Sequence, residues 1–368
     1  MFREIQTMKK YLSILPVLLF WIAVQGQDKN FVVLGKVIDS ASGLPLAGAS
    51  AYCQNTTYGT TSNNEGLFFM RLPNGGYDLV ITYTGYEKRI MRLSNNNATN
   101  TDTLNIVLAK EDKTMTEVAV VATNEVANGW EKYGKFFTEH FIGTTPNAAH
   151  CTLENPQNLH FFYSKKRNRL KVTADSDLVV KNYALGYIVR YQLDSFSYDY
   201  TSQISQFTGS PFFIEMDTVE TVKTQWGKNR GRTYLGSRLH FMRALYDSTV
   251  TEEGFILEKL DSDSAGIKSV FITDIYNEND YVADSTDVIM NWAGQYRISY
   301  KPVLPDRSFL TEFKLPLNTR FQITVVDVAD GFIIEENGYF YEQYEVINTG
   351  YWAWKKLAEL LPYDYQYE

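Results

Sequence analysis

The sequence predicts a mainly β protein, a small antiparallel β-sandwich followed by a larger β-rich α+β domain with about three helices. Short apolar-alternating runs at 32–38, 47–53, 66–72 and 77–83 are punctuated by Ser42-Gly43, Pro45, Asn63-Asn64-Glu65-Gly66 and Pro73-Asn74-Gly75-Gly76. Gly and Asn at such points supply the positive φ of tight turns, so the runs read as strands of one compact sandwich. Further on, strand-length runs are interrupted by only three stripes at helical spacing. Aromatic residues are abundant, with 26 Tyr and 22 Phe, and both favour sheets.

Residues 1–27 read as an export signal. Lys9 and Lys10 precede an uncharged run at 11–24, and Val24-Gln25-Gly26 offers a cleavage site before Gln27. The run is shorter than the about 20 residues that span a bilayer, so the mature chain is expected to carry no transmembrane segment. Met8 begins a complete signal by itself, and no Cys stands at the cleavage site to take a lipid anchor. Cleavage removes Arg3, Lys9, Lys10 and Glu4 and moves the formal net charge from −8 to −10. That balance argues against nucleic acid as a partner and suits an exported protein of the periplasm, outer membrane or cell surface.

Within the sandwich, expected at 28–110, Pro45 and Gly48 bend the chain between two strands and Asn63 to Gly66 closes a hairpin. Phe68, Met70 and Leu72 alternate onto one face and should be core. A last strand follows at 104–108. Cys53 falls in phase with Ala49 and Ala51, which places it inside as a small apolar residue; the alternative, which export permits, is a bridge to Cys151, the other cysteine.

The residues Gly35-x-Val37-x-Asp39, Gly43-x-Pro45-Leu46-x-Gly48-Ala49, Gly59-Thr60, Asn63-x-x-Gly66-x-Phe68 and Gly85-Tyr86 resemble the carboxypeptidase regulatory-like domain. The resemblance implies a transthyretin-like or Ig-like β-sandwich, a module found beside carboxypeptidases and at the N-terminus of TonB-dependent glycan transporters. It covers about a seventh of the chain and implies a scaffold without chemistry. In those transporters a short Glu-Val-rich segment follows the domain as the TonB contact. Here Met115-Thr116-Glu117-Val118-Ala119-Val120-Val121-Ala122 stands in the linker at 111–127, behind the charged Lys110-Glu111-Asp112-Lys113, and no plug or barrel follows. An ordinary linking strand is the plainer account.

The second domain, at 128–368, is expected to place helices on Trp130, Tyr133, Phe137 and Phe141; on Leu235, Leu239, Met242, Leu245 and Tyr246; and on Trp354, Leu357, Ala358 and Leu361, the last opened by Thr349 and closed by Pro362. Strands are expected at 159–163, 169–173, 187–193, 255–260, 269–275, 296–300, 320–326 and 331–334. Phe141-Ile142-Gly143, Cys151, Asn155-Pro156, Asn182-Tyr183-x-Leu185-Gly186-Tyr187 and Trp226-x-x-Asn229-Arg230-x-x-x-Tyr234-x-Gly236-Ser237-x-x-His240-Phe241 resemble a group of exported proteins carrying the same regulatory-like domain. That resemblance implies no activity.

Gly129 to Phe136 nearly spells a phosphate loop, but Phe136 stands where magnesium needs a hydroxyl, and Trp130 and Tyr133 crowd the loop. No His is followed by Glu three residues on, so the peptidase zinc motif is missing. His140, His150, Cys151 and His160 match no compact zinc spacing. Gly-x-Ser-x-Gly is absent, and Ser237 with His240 reads as packing. Asp261-Ser262-Asp263-Ser264-Ala265-Gly266 lacks the ligands of a calcium loop and reads as a turn. Asp194, Asp199, Glu215, Asp217 and Glu258 are the acids open to a carboxylate-dependent hydrolase. No cofactor and no metal are expected.

One charge anomaly stands out. Lys223, Lys228, Arg230, Arg232, Arg238 and Arg243 occur without an intervening acid in an otherwise acidic chain, a cluster suited to an anionic ligand or to pairing with distant carboxylates. The leading expectation is a non-catalytic cell-envelope binding or scaffold protein, its sandwich presenting the second domain to an outer-membrane partner by edge pairing or face packing. The alternatives are a carbohydrate-binding protein stacking Trp226, Trp292, Trp352 and Trp354 on sugar rings, and the hydrolase above. Candidate ligand-binding residues are Trp226, Arg230, Tyr234, Arg238, His240 and Trp292.

Overall fold

In a computed structural model of the chain, the residues described are 30–94, 103–111, 125–263, 266–284, 286–341 and 343–367. The expected leader at 1–27 and the segment 115–122 lie outside them.

Among the described residues, seven strands build the sandwich: β1 (Asn30–Asp39), β2 (Ser50–Cys53), β3 (Gly59–Thr61), β4 (Leu67–Pro73), β5 (Tyr77–Thr82), β6 (Arg89–Leu93) and β7 (Leu104–Leu108). One sheet runs β4-β1-β7 and the other β3-β2-β5-β6. Alternation dictates the core. Val33, Val37, Phe68, Met70, Leu72, Leu79, Ile81 and Ile106 point between the sheets and are buried. Two expectations are corrected. β7 joins β1 in parallel, so the sandwich is not wholly antiparallel. Asn63 to Gly66 closes no hairpin, because β3 and β4 belong to different sheets; the Asn63 carboxamide accepts the Glu65 and Leu67 amides and turns the chain from one sheet to the other. Cys53 is fully buried and, like Cys151, unbridged; its thiol lies 3.7 Å from the Met70 sulfur.

The next unit sets α1 (Gly129–Phe141) on a sheet of β8 (Cys151–Leu153), β9 (Leu159–Ser164), β10 (Arg169–Ala174), β11 (Leu178–Asn182), β12 (Tyr187–Asp199) and β13 (Ile204–Glu215), with β8-β11-β12-β10-β9 in order and β13 also paired to β12. Phe137 and Phe141 enter its core against Phe161, Phe196 and Tyr191. The glycine run resembling a phosphate loop is the first two turns of α1 and forms no loop at all.

A second core gathers around α3 (Arg238–Tyr246). It lies beneath β14 (Phe255–Asp263), β15 (Gly266–Phe271), β18 (Gly294–Tyr300), β19 (Gln322–Val328) and β21 (Val346–Gly350), ordered β15-β14-β18-β19-β21. β16 (Tyr281–Ala283), β17 (Asp287–Met290) and β20 (Phe332–Glu335) form a further three-stranded sheet. The strand expected at 269–275 is displaced to β15, which pairs with β14 across the turn at Asp263 and Gly266.

The helices at 235–246 and 354–361 are corrected. α2 (Glu220–Tyr234) precedes α3, and Leu235-Gly236 is the turn between them, Ser237 capping α3 by accepting the His240 amide. α2 escapes the periodic pattern because only Trp226, Thr233 and Tyr234 of its side chains are buried. At the other end, Thr349 closes β21, α5 (Tyr351–Trp354) starts after Gly350, and a 3-10 turn follows at Leu357–Glu359. The apolar period there arises from two destinations. Trp354 packs with Tyr351 and with Phe309 and Leu310 of α4 (Arg307–Glu312), whereas Leu357, Ala358 and Leu361 return to the core of the β8–β13 unit.

Candidate functional site

Three of the six predicted residues, Trp226, Arg230 and Tyr234, sit on α2, and the polar atoms of the first two are already engaged. The loop between β11 and β12 exposes four carbonyls in succession. Trp226 donates its indole N–H to Tyr183 O at 2.8 Å, and Asn229 donates to Ala184 O at 2.7 Å. Arg230 Nε donates to Leu185 O at 2.8 Å and its Nη2 to Gly186 O at 3.5 Å. From within the loop, Asn182 accepts the Ala184 and Leu185 amides and donates to Ala358 O. The stretches Asn182–Tyr187 and Trp226–Phe241, quoted together from the sequence, thus meet in a single joint. Gly186 is required by it: φ is +72°, and a Cβ there would lie 2.2 Å from the Trp226 ring. The Arg230 guanidinium also lies 3.9 Å from the Tyr187 ring centroid and pairs with Glu215 at 2.8 Å. A cavity of about 300 Å³ opens beside them, with Glu215, Asp217, Lys223, Trp226 and Arg230 in its wall.

Tyr234, His240 and Gly236 form the second half of the joint. The Gly236 amide donates to His240 Nδ1 at 3.1 Å, which leaves Nε2 to carry the proton and face Glu253 at 3.2 Å. The imidazole is enclosed by the rings of Tyr234, Phe255 and Tyr300, and burial holds its pKa below the usual range. Trp352 donates to Gly236 O at 2.7 Å. Arg238 extends over the Phe340 ring. Trp292, stacked on Tyr296 at 4.5 Å, lies in the second core away from α2. The six candidates therefore do not converge on one site.

The remaining candidates are also accounted for. Trp226, Trp292, Trp352 and Trp354 are each at most 7% exposed, so none can offer a ring face to a sugar; this corrects the stacking expectation. Trp354 donates to Thr144 and Glu312. Each acid considered for hydrolysis is held by a cation: Asp194 by Lys88, Asp199 by Arg169, Glu215 by Arg230, Asp217 by Lys223 and Glu258 by Arg297. The Arg169 and Lys223 partners hold the Asp199 and Asp217 carboxyls below the ordinary range. Of the cationic run, Lys223, Lys228 and Arg232 are exposed, whereas Arg230 and Arg243 are spent on backbone carbonyls. Arg243 donates to Asn337 O, Tyr363 O and Tyr365 O at 3.1, 2.9 and 2.9 Å.

His140 lies on α1 with Nδ1 2.8 Å from Phe136 O, and His150 is exposed. Among the described residues, no group of three His, Cys, Asp or Glu side chains could hold a metal ion. His160 is different from the other histidines. Its Nδ1 lies 2.8 Å from Glu125 and its Nε2 2.8 Å from Asp175; Glu125 also lines a cavity of about 390 Å³ at the start of α1. The Asp175 and Glu125 hydrogen bonds raise its pKa above 6.5, whereas burial lowers that of His140 and His240. His160 is thus expected to deprotonate after His140 and His240 in an NMR titration of the ring protons. The stability it contributes is present in full below about pH 6.5 and fades as pH rises through its folded pKa. Removing either acid, as in Asp175→Asn, should bring its midpoint down; an unchanged midpoint would refute the assignment.

In the sandwich, residues from the two ends of the quoted motif meet. Asp39 accepts the Ala41 and Ser42 amides, the Ser42 hydroxyl and the Tyr86 phenol, the Tyr86 bond leading the causes that hold its carboxyl far below the ordinary range. Residues 33–120 match the family described as CarboxypepD_reg-like domain. This stretch is a CarboxypepD_reg-like domain. No curated protein matches the chain.

Among solved structures, the chain is similar to 3-chlorocatechol 1,2-dioxygenase from Rhodococcus opacus, at 14% identity over 22% of this chain and 60% of that one, with a TM-score of 0.18. A cohesin-X-dockerin complex from Acetivibrio cellulolyticus gives 21% identity over 23% of this chain and 61% of that one, TM-score 0.19. A protein of unknown function from Bacteroides fragilis gives 10% identity over 88% of this chain and 95% of that one, TM-score 0.19. The matched region thus spans about three fifths of each of the first two chains. At such TM-scores these likenesses carry neither chemistry nor partner over to this chain.

The CarboxypepD_reg-like domain is fastened at several points. Its loop after β2 pairs with β13, the Asn55 amide donating to Pro211 O and the Phe213 amide to Thr56 O, with Tyr52 and Phe212 rings 5.2 Å apart. The C-terminal segment runs alongside: Tyr363 N–H donates to Asn55 O, and Thr57 donates to Asp364 through both amide and hydroxyl. On the other flank, Asn337 exchanges hydrogen bonds with the Gly76 peptide, and the Tyr339 phenol donates to Asp78 at 3.0 Å. These contacts did not announce themselves in sequence, because they join turn backbones and single side chains that no periodic pattern marks.

What the sequence pattern also missed is an open edge. β15 ends its sheet, and all six of its residues are exposed. Ile267, Val270 and Phe271 are 67%, 59% and 65% exposed. Phe271 stands opposite Glu258, itself opposite Arg297, and on the same face Ile323 and Ile347 are exposed too. The apolar residues of β15 do not alternate, so the strand carries no inward-facing signal. No helix among the described residues is long and apolar enough to cross a membrane.

Proposed function

We propose that this protein works by binding: a cell-envelope scaffold in which the CarboxypepD_reg-like domain is the fixed support and the β15 edge receives an extended segment of an outer-membrane protein. The observation that carries this reading is that edge, six residues long, the last strand of its sheet among the described residues, with three large apolar side chains exposed. Natural sheets usually shorten, charge or cover such edges, and an uncovered one is a template for strand addition. The multiple fastenings of the sandwich support a rigid carrier, and the pairing of each candidate acid with a cation supports binding over hydrolysis. The export signal read in residues 1–27 supports the location.

The test is capture of outer-membrane proteins on tagged mature protein, compared with an Ile267→Lys/Val270→Lys variant. Because both positions are exposed, the variant should keep its melting temperature within about 2 °C while partner recovery falls about tenfold or more. Equal recovery by the variant, or peptide or glycan turnover at enzymatic rates by the wild type, would remove the proposal.

A further inference from the structure

We propose that the loop between α4 and β19 is a membrane-interface contact, seating Phe313, Leu315 and Leu317 among the headgroups of an anionic bilayer while the cations flanking them meet lipid phosphates. Every residue from Thr311 to Asn318 is exposed, so the loop projects from the second domain. Phe313, Leu315 and Leu317 are 50%, 39% and 74% exposed, and Leu304 is 65% exposed. Leu304 stands at the same end of the molecule, because the Gln322 side chain reaches its carbonyl at 3.5 Å where the loop enters β19. Apolar side chains scattered singly over a surface are ordinary; several on one projection mark a contact.

The projection has a fixed base. α4 buries Phe309 and Leu310 with Tyr351 and Trp354, and the Phe313 ring lies 4.8 Å from that of Phe309. The helix ends in a Schellman motif, the Leu315 amide donating to Leu310 O and the Lys314 amide to Thr311 O. A second turn follows, closed by Thr319, which donates to Pro316 O through both its amide and its hydroxyl. Turn corners usually carry Gly, Asn, Asp or Ser, yet this corner holds Leu317, the most exposed leucine among the described residues. Lys314 takes φ +53° at the position where helices commonly place glycine. The backbone strain there is tolerated for a charged side chain that bonds to nothing among the described residues.

Charge selects the occupant. Residues 301–320 hold Lys301, Arg307, Lys314 and Arg320 against Asp306 and Glu312, in a chain whose formal net charge is −8. All four cations are exposed, and none forms an ion pair among the described residues. Both acids are committed to the base of the loop: Asp306 caps α4 by accepting the Ser308 amide, and Glu312 accepts from Trp354 and Thr144. An apolar turn flanked by unpaired cations complements a bilayer surface, where phosphate lies outside and acyl chain just beneath. The irregular backbone sets the depth, since loop amides and carbonyls stay out of hydrocarbon and only side chains pass the headgroups. A projecting turn also needs no matching cavity on a fluid surface, as it would on a protein.

The experiment is flotation of the mature protein with vesicles of phosphatidylcholine alone or mixed with phosphatidylglycerol at about 2:1. Wild type should float with the anionic vesicles, far less with the neutral ones, and be released as salt rises. Leu315→Asp/Leu317→Asp should lower the partition about tenfold or more. Lys314→Gly separates folding from binding: it relieves the positive φ, so its melting temperature should equal or exceed that of wild type, while partition onto anionic vesicles falls about fivefold. Leu317→Trp should gain blue-shifted emission that brominated lipid quenches. Ile267→Lys/Val270→Lys should lose none of the vesicle binding, so failure of strand addition at β15 leaves the loop contact standing. Absence of flotation at low salt, or flotation that survives Leu315→Asp/Leu317→Asp, would overturn the proposal. So would a variant that loses an outer-membrane protein with vesicle binding intact, which would make the loop a protein contact.

Discussion

Replacing Arg243 by alanine is expected to cost about 3–5 kcal/mol and to uncouple the CarboxypepD_reg-like domain from the rest of the molecule. The guanidinium spreads three N–H donors over three carbonyls, one on the hairpin that clasps the sandwich and two on the C-terminal segment. A hydrogen bond from a charged donor contributes about 1.5–3 kcal/mol, and a carbonyl left dry costs about 1–3. The three do not add independently, since one side chain serves them all. Tyr363 and Asp364, which follow from that anchor, are the residues that bond to Asn55 and Thr57. Loss of the anchor therefore propagates to the seam. Urea denaturation should change from one transition to two, with the sandwich melting separately. Lysine should recover little, because a single ammonium cannot reproduce the planar fork. A single transition with an unchanged midpoint would show that Arg243 holds nothing together.

The same residue explains what sequence could and could not disclose. The sandwich was legible because its signal is local: alternation places Phe68, Met70 and Leu72 inward, and both ends of the motif serve one turn at Asp39. Its neighbours were legible as strands for the same reason. The cationic run from Lys223 to Arg243 was legible as an anomaly, but its purpose was not. The acceptors are backbone carbonyls of loops 45 residues away for Arg230 and 120 residues away for Arg243, and a carbonyl has no letter in a sequence. The tryptophans misled for a related reason. An indole suits a sugar face or a core equally by composition, and only the position of Tyr183 O or Gly236 O decides which. β15 was misplaced because a strand with no buried face obeys no period.

Trp226→Ala should rank with the most damaging single substitutions, at about 3–5 kcal/mol, and a second substitution can show why. Trp226 fills the space that Gly186 leaves by having no side chain, and its N–H satisfies Tyr183 O. Alanine at 186 meets two penalties: a positive φ, at about 1–2 kcal/mol, and collision with the indole, at about 1–3 kcal/mol. The two are separable by a double-mutant cycle with Trp226→Leu, which frees room at Gly186 while keeping an apolar plug. If packing dominates, Gly186→Ala should be markedly less harmful in the leucine background, with a coupling of about 1 kcal/mol or more. If the backbone alone dictates the glycine, the cost will be equal in both backgrounds. Equal costs would reduce the interlock of loop and helix to a turn requirement, and the joint appearance of Gly186 and Trp226 in the stretches that carry one resemblance would then need another cause.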